Sequence, residues 1–346
     1  MTDQTTDRAE GMRAAIDPAE DFSSQPLNSF WRDLGAQHTA LLAQYGRENF
    51  KRTVNQQYFN WSVFGILRFQ FAAVVRAWMR RPDLSVLASR LDAAPTSGPD
   101  LFHPRGLSAV IYRLHVAMLA SVVRRDDPEG LLRRLEEPTV GDPVRVRVDG
   151  VALSQDLCHA VHEYYRIVEH LSPETPPAIL EIGAGYGRLA YVFLSARPNT
   201  RYVIVDVPPA RDLAAWYLST CFPGMRIFAC RPDASEAELR EALAQAQVVF
   251  LAPHQVAALP SNMADAAVSI SSLHEMSRAE VASYFSTIDR VTRGIFYSKQ
   301  WRVSKVPSNQ TVITEHEYPV PAGWTRLYQR NHPLLPKFFE ACFRVR

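Results

Sequence analysis

The sequence has few cysteines, little net charge and no long hydrophobic run free of charged residues. None of its four cysteines belongs to a Cys-x-x-Cys pair, which argues against a zinc ribbon or a thioredoxin-like motif. The formal net charge of +2 over 346 residues disfavours nucleic acid or an anionic membrane as the main partner. Charged residues break every apolar stretch before the roughly 18 residues of a membrane span, so we expect none. No ligand spacing demands a metal ion, and we predict none.

The amino-terminal part of the chain reads as polar and then helical. The opening "MTDQTTDRAEGM" contains no apolar signal-peptide core, so we expect a cytoplasmic protein with reduced thiols. Residues 1–25 are predicted to form a disordered tail. Helical periodicity over 26–150 predicts a region that acts as a lid over a site, as a homodimer interface, or as both. Near its end, "PVRVRVDGVAL" predicts a β-hairpin that turns at Asp149-Gly150.

Beyond Pro173 short β-branched runs alternate with helical patterns. The runs are "AILEIGAG", "RYVIVDVP", "MRIFAC", "VVFLAP", "AAVSISS" and "GIFYSKQ". Such alternation is typical of βαβ units that build a parallel sheet with helices on both faces. We therefore predict a doubly wound, Rossmann-like α/β domain over residues 151–346.

A glycine-rich segment joins the first of these runs to a helical pattern. Glycines at such a turn let a ligand approach the main chain closely, although a tight turn without a ligand is the alternative. Asp206 ends the next run and follows Gly185 by 21 residues, an offset that suits a carboxylate accepting both ribose hydroxyls of a nucleoside. Strand, glycines, helix, strand and acid in this order predict a nucleoside-cofactor site.

The glycine spacing bears on which cofactor is bound. A dinucleotide site has a glycine three residues after the second one, where this chain has Arg188, and that disfavours an NAD-dependent dehydrogenase. The pattern here is Glu-x-Gly-x-Gly-x-Gly, which resembles the first motif of class I S-adenosylmethionine (SAM) dependent methyltransferases. That resemblance implies SAM as cofactor, glycines against its methionine part and Asp206 on its ribose. The predicted cofactor-binding residues are Glu181, Gly183, Gly185, Gly187, Arg188 and Asp206.

Residues 45–346 also resemble the bacterial sugar O-methyltransferases of natural-product pathways. The resemblance is carried by "NQQYFNW", "SQDLCHAVHEYY", "GYGRLAYVFL" and "DAAVSISSLHEM". It implies a terminal antiparallel strand, which the last 20 or so residues would supply as a hairpin. Where that family has glutamine after its fourth strand, this chain has His274. We predict His274 as general base and Glu275 as its orienter or a substrate ligand, because both would face the bound methyl group.

Several other polar residues are candidates for substrate binding. They are Asn55 and Tyr58, between two apolar helical stretches, and Glu315 and Glu317 in "TVITEHEYP". The leading hypothesis is methyl transfer to a hydroxyl of a sugar or sugar-like small molecule. One alternative is an N-methyltransferase for a cation such as the guanidino group of free arginine, which carboxylates would bind in fork geometry. Another is a SAM-binding module without catalysis.

Overall fold

The computed structural model of the protein describes residues 29–55, 63–92, 102–305 and 311–345. The predicted tail, 1–25, lies outside these ranges. The amino-terminal region is helical, as predicted, and its described helices are α1 (Ser29–Tyr45), α2 (Val63–Phe69), α3 (Phe71–Met79), α4 (Gly106–Val123) and α5 (Leu131–Arg134). Shorter 3₁₀ turns cover Arg47–Arg52, Leu84–Ala88 and Arg124–Asp126.

A small antiparallel sheet closes this region. It contains β1 (Arg90–Leu91), β2 (Val146–Val148) and β3 (Val151–Leu153), in that spatial order. Strands β2 and β3 form the predicted hairpin, so the predicted boundary at 150/151 lies in its turn. Strand β1 was not anticipated, because two residues are too few to show an alternating pattern.

The carboxy-terminal part is built on one eight-stranded sheet. Its strands are β4 (Ala178–Ile182), β5 (Arg201–Val205), β6 (Ile227–Ala229), β7 (Val248–Leu251), β8 (Ala264–Ile270), β9 (Thr292–Trp301), β12 (Thr325–Asn331) and β13 (Phe338–Arg344). The spatial order is β12-β13-β9-β8-β4-β5-β7-β6, with β10 (Val303–Lys305) and β11 (Val312–Thr314) as a separate hairpin. The helices are α6 (Gln155–Val168), α7 (Arg188–Ala196), α8 (Ala210–Cys221), α9 (Glu236–Gln245) and α10 (Arg278–Val291).

The strand directions confirm the prediction of a doubly wound, Rossmann-like sheet. Strands β4 to β9 pair in parallel, and β13 runs antiparallel between β9 and β12, as the predicted terminal hairpin required. Strand β8 carries the segment that the resemblance assigned to the family's fourth strand, and it pairs with β4. It is nevertheless the fifth strand along the chain, because β6 adds a short outer edge.

Both faces of the sheet are buried, which explains the near-continuous apolar strands. Adjacent residues point to opposite faces: Ile179 packs in the core shared with the amino-terminal helices, and Leu180 packs in the core beneath α9 and α10. Helix α6 begins where Ser154 Oγ accepts a hydrogen bond from the amide of Leu157 and so caps the helix. The carboxyl ends of β4, β5 and β8 therefore meet at one edge of a rigid layer.

One segment, Gly106–Asp126, is long and apolar enough to cross a membrane by length and composition alone. Half of its most apolar window is buried inside the protein. Helix α4, which makes up most of this segment, packs against α3 and α6. Core helices of soluble proteins pass the same test, and the segment is weak support for a membrane span.

Candidate functional site

A cavity of about 600 Å³ opens at the carboxyl ends of β4, β5 and β8. One wall is the glycine loop after β4, and a second is the segment after β8. Helix α1 closes a third side with Trp31, His38 and Leu42. Clefts in open α/β sheets form at this edge, where neighbouring loops diverge. Eight of the predicted site residues line this cavity: Asn55, Glu181, Gly183, Gly185, Arg188, Asp206, His274 and Glu275.

The backbone of the glycine loop has a conformation that residues with a side chain rarely adopt. Gly183 and Gly185 have φ angles of 74° and 58°, in the left-handed region. A Cβ atom on Gly183 would lie 2.1 Å from Oγ of Ser272, so the loops after β4 and β8 approach each other here. Gly187 lies behind the loop as the N-cap of α7, where a Cβ atom would be 3.2 Å from Leu218. Gly187 thus serves helix packing, and it is not on the cavity wall.

Asp206 stands at the end of β5 with both carboxylate oxygens turned to the loop. One oxygen accepts a hydrogen bond from the Gly185 amide at 2.9 Å, and the other accepts one from the Val207 amide at 2.7 Å. Burial nevertheless raises the pKa of Asp206 to about 7. Each oxygen keeps a lone pair for a further donor, as ribose hydroxyls would require.

Glu181 lies on the same wall, inside β4. Its carboxyl group accepts a hydrogen bond from the Tyr202 hydroxyl at 2.7 Å, and burial raises its pKa to about 7. A buried carboxyl group of this kind favours a cationic partner, because an ammonium group nearby stabilises the ionised form.

A buried charge cluster adjoins the glycine loop. Arg188 pairs with Glu163 at 2.7 Å, and Lys299 from β9 contacts the same carboxylate. Burial by itself would raise the pKa of Glu163, but the two cations hold it at about 2. Arg188 and Lys299 both also line the cavity, so the cations of this cluster face it. Sequence reasoning missed Glu163 and Lys299, although a lysine inside the apolar run "GIFYSKQ" was a usable signal.

His274 and Glu275 form a one-turn 3₁₀ helix after β8. His274 is 4% exposed, and burial lowers its pKa to about 4, so the ring is neutral at physiological pH. Its Nδ1 lies 3.0 Å from Oε1 of Gln300, and its Nε2 lies 3.6 Å from a carboxylate oxygen of Glu275. Ser304 Oγ donates a hydrogen bond to the carbonyl of His274 at 2.7 Å, which fixes the backbone. The geometry permits Nε2 to accept a proton and Glu275 to stabilise the resulting imidazolium.

Aromatic rings surround His274 in the cavity. Trp301 and Phe338 pack against each other with centroids 5.1 Å apart, and both lie within 6.5 Å of the imidazole ring. Phe69 from α2 meets Trp301 edge to face at 5.9 Å. Three separate elements, α2, β9 and β13, therefore provide aromatic rings near the imidazole ring of His274.

The predicted substrate residues divide into three cases. Asn55 lines the cavity and donates a hydrogen bond to Asp156 at 2.8 Å. Tyr58 lies outside the described residues. Glu315 and Glu317 do not reach this cavity, since Glu315 pairs with Arg302 and Glu317 with Arg278. Residues 315–317 belong to a turn after β11, and the carboxylates of Glu315 and Glu317 form ion pairs with arginines there.

One buried group in the described part of the chain has the residue types of a metal site. His162, His332 and Glu340 have ligand atoms within 4.8 Å of one another. Nδ1 of His332 accepts hydrogen bonds from the amides of Leu334 and Leu335, so Nε2 carries the ring proton. A nitrogen that carries a proton has no lone pair for a metal, and this group does not fit one.

The comparisons with known proteins find similarity only among solved structures. No family model matches the chain. No curated protein matches it either. A 1,6-didemethyltoxoflavin N1-methyltransferase from Burkholderia thailandensis is 18% identical with a TM-score of 0.36; the match covers 73% of this chain and 96% of that one.

Two further solved structures give similar values. A SAM-dependent methyltransferase from Aquifex aeolicus is 15% identical with a TM-score of 0.33, over 53% of this chain and 90% of that one. The [4+2]-cyclase SpnF is 19% identical with a TM-score of 0.33, over 49% and 59%. Similarity at this level assigns no reaction.

Proposed function

We propose that this protein is a SAM-dependent methyltransferase that methylates a hydroxyl group of a small metabolite. The observation that carries the proposal is that one cavity contains both a carboxylate placed to bind a ribose and a buried neutral histidine. Asp206 lies beside the glycine loop and His274 follows the neighbouring strand β8. The natural-product setting and the sugar-like acceptor rest on the sequence resemblance.

Four residues are assigned to the cofactor by their chemistry. Asp206 would accept the ribose hydroxyls, and Glu181 would face the ammonium group of the methionine part. Arg188, with Lys299 beside it, offers positive charge to the carboxylate of the same part. When bound, SAM supplies a methyl group on a positively charged sulfur, an electrophile that needs no further activation.

The protein must then align the acceptor and take its proton. Nε2 of His274 would accept the proton of the acceptor hydroxyl, whose oxygen would receive the methyl group that bound SAM supplies. Glu275 stabilises the imidazolium that results. The rings of Phe69, Trp301 and Phe338 hold the body of the acceptor by apolar contact, which suits the C–H faces of a sugar-like ring.

We further propose that the amino-terminal region acts as the lid of this cavity. Helix α1 contributes Trp31, His38 and Leu42 to the wall, and the turn after it is tied to the core by the buried ion pair of Lys51 and Glu137. A lid that excludes water protects the transfer step from competing hydrolysis. A homodimer interface in the same region stays a prediction, as does the cytoplasmic location.

Methyl transfer from labelled SAM tests the proposal. Wild-type protein is incubated with a panel of deoxysugars, other hydroxylated metabolites and free arginine, and the labelled product is identified. His274→Ala should lower kcat roughly 100-fold, within the usual contribution of a general base. His316→Ala is the matched control, since that side chain is 78% exposed and outside the cavity, and should keep full turnover.

Two results would contradict parts of the proposal. Full turnover by His274→Ala would remove the base assignment. Absence of binding of S-adenosylhomocysteine at millimolar concentration, measured by calorimetry, would remove the cofactor assignment and with it every reading based on SAM. The N-methyltransferase alternative loses part of its support because Glu315 and Glu317 pair with arginines elsewhere. Methylation of free arginine or of another cationic small molecule would restore it.

A further inference from the structure

The side-chain amide of Gln300 has an orientation fixed by backbone groups. Its Nε2 lies 3.0 Å from the carbonyl oxygen of Ser269, and its Oε1 lies 3.1 Å from the amide nitrogen of Ser272. A carbonyl only accepts hydrogen bonds and an amide N–H only donates them. The reversed amide would place two donors together at Ser272 and two acceptors together at Ser269. Gln300 is fully buried, so water cannot relieve such a conflict.

This orientation determines which nitrogen of His274 carries the ring proton. Oε1 of Gln300 is an acceptor, and it lies 3.0 Å from Nδ1 of His274. Nδ1 must therefore be the donor, and a neutral imidazole with a proton on Nδ1 has its lone pair on Nε2. Nε2 is the nitrogen on the side of Glu275, at 3.6 Å from its carboxylate. The lone pair and the group that stabilises its protonated form lie on the same side of the ring.

We propose that Gln300 is a positioning residue that holds His274 in the Nδ1–H form and so makes Nε2 the proton acceptor of the reaction. The proposal rests on the proposed function in one respect, that His274 is the base. The tautomer itself follows from Ser269, Ser272 and Gln300 and does not depend on any reaction. Ser269 and Ser272 border the carboxyl end of β8, and Gln300 belongs to β9, so the pairing of two strands sets the state of the base.

Nuclear magnetic resonance of ¹⁵N-histidine-labelled protein reads the tautomer directly. The His274 signals are identified by their loss in His274→Ala. Wild type should show a protonated Nδ1 and an unprotonated Nε2. Gln300→Met, which is close in size but a poor acceptor, should shift the ring toward the Nε2–H form. Gln300→Glu should restore Nδ1–H, because its carboxyl group again accepts from His274 and, when protonated, donates to Ser269.

A matched control separates positioning from general loss of stability. Gln255 is also buried and also bridges backbone groups, accepting from the Ala252 amide and donating to the Arg231 carbonyl, but it lies outside the cavity. Gln255→Met should lower the melting temperature much as Gln300→Met does. It should leave both the His274 tautomer and kcat unchanged.

Kinetics provide the second readout. Gln300→Met should lower kcat roughly 10- to 100-fold, part of the usual contribution of a general base, with KM changed less than about twofold. Gln300→Glu should recover most of that loss. In the His274→Ala background, Gln300→Met should cause no further loss, because both changes remove the same base. A further loss in that background would overturn the proposal in favour of a structural role.

The outcomes also distinguish this inference from the proposed function. A wild-type ring with Nε2–H, or a tautomer that Gln300→Met leaves unchanged, overturns the inference whatever the activity. Full turnover by His274→Ala would overturn the proton-acceptor role, which belongs to the proposed function. The resonance experiment would still decide whether Gln300 sets the tautomer.

Discussion

Replacing Asp206 with asparagine should stabilise the ligand-free protein while abolishing cofactor binding. Asp206 is 7% exposed, and burial raises its pKa from an ordinary value of 3.8 to about 7. Its ionised form is therefore disfavoured in the folded protein relative to the unfolded chain. Asparagine has nearly the same shape and no charge to bury.

The magnitude follows from the shift in pKa. At about 1.4 kcal/mol per pKa unit, ionising Asp206 costs the folded state about 4 kcal/mol above pH 7. The backbone hydrogen bonds that Asp206 accepts are already contained in this raised pKa. Asparagine resembles the protonated acid at this position, so the gain above pH 7 is about 4 kcal/mol, or roughly 6 °C in melting temperature for a chain of this length.

The sign of the pH dependence is fixed by the same numbers. The raised pKa means that the folded state holds its proton more tightly, so this group favours folding below pH 4 and loses that contribution between pH 4 and pH 7. The stability difference between Asp206→Asn and wild type should therefore be smallest near pH 4. It should grow up to about pH 7 and stay constant above it.

Thermal unfolding at several pH values, with and without S-adenosylhomocysteine, is the assay. Saturating ligand, at about 100 times its Kd, should stabilise wild type by about 2.7 kcal/mol and leave Asp206→Asn unchanged. Asp233→Asn, at an 81% exposed side chain, is the control and should match wild type throughout. An Asp206→Asn protein less stable than wild type at pH 8 without ligand would refute the argument from buried charge.

Three further predictions concern the glycine loop, the buried ion pair of Lys51 and Glu137, and Glu315, which lies outside the cavity. Gly183→Ala should destabilise the fold by about 1–3 kcal/mol in chemical denaturation, because its left-handed backbone and close contact reject a Cβ atom, whereas Gly224→Ala, with open space around it, should be near neutral. Lys51→Met should lower the free energy of unfolding by about 3–5 kcal/mol, because Glu137 stays buried without its cation. The double variant Lys51→Met/Glu137→Leu should recover much of this loss. Equal stability of the single and double variants would contradict the prediction. Glu315→Gln should keep kcat and KM within about twofold in the labelled-SAM assay, and a large loss would place that residue at the substrate after all.

The architecture was largely predictable because its signals are local and periodic. Alternation of apolar runs and helical patterns identified the parallel strands, whereas the terminal hairpin was predicted from the resemblance to the methyltransferase family. The two-residue strand β1 and the outer position of β6 were not, since strand order depends on long-range pairing that no short window contains.

The site was predictable only in part, and the reason differs from residue to residue. Asp206 was found because its distance along the chain from the glycine loop is set by one βαβ unit. Glu163 and Lys299 were missed because they are 136 residues apart in sequence and meet only through the packing of α6 against β9. Glu315 was misplaced for the converse reason, since an acidic residue near an edge strand carries no sign of which arginine it will meet.

The sequence by itself determined the sheet class and the glycine loop, because backbone freedom and the alternation of apolar runs with helical patterns are properties of neighbouring residues. The tertiary structure alone decided which polar groups lie together and in what protonation state. Asp206 has its raised pKa because it is buried, and His274 has Nε2 as its basic nitrogen because Gln300 on another strand faces Nδ1. Burial and directed hydrogen bonds arise only when distant segments pack, and a sequence pattern does not contain them.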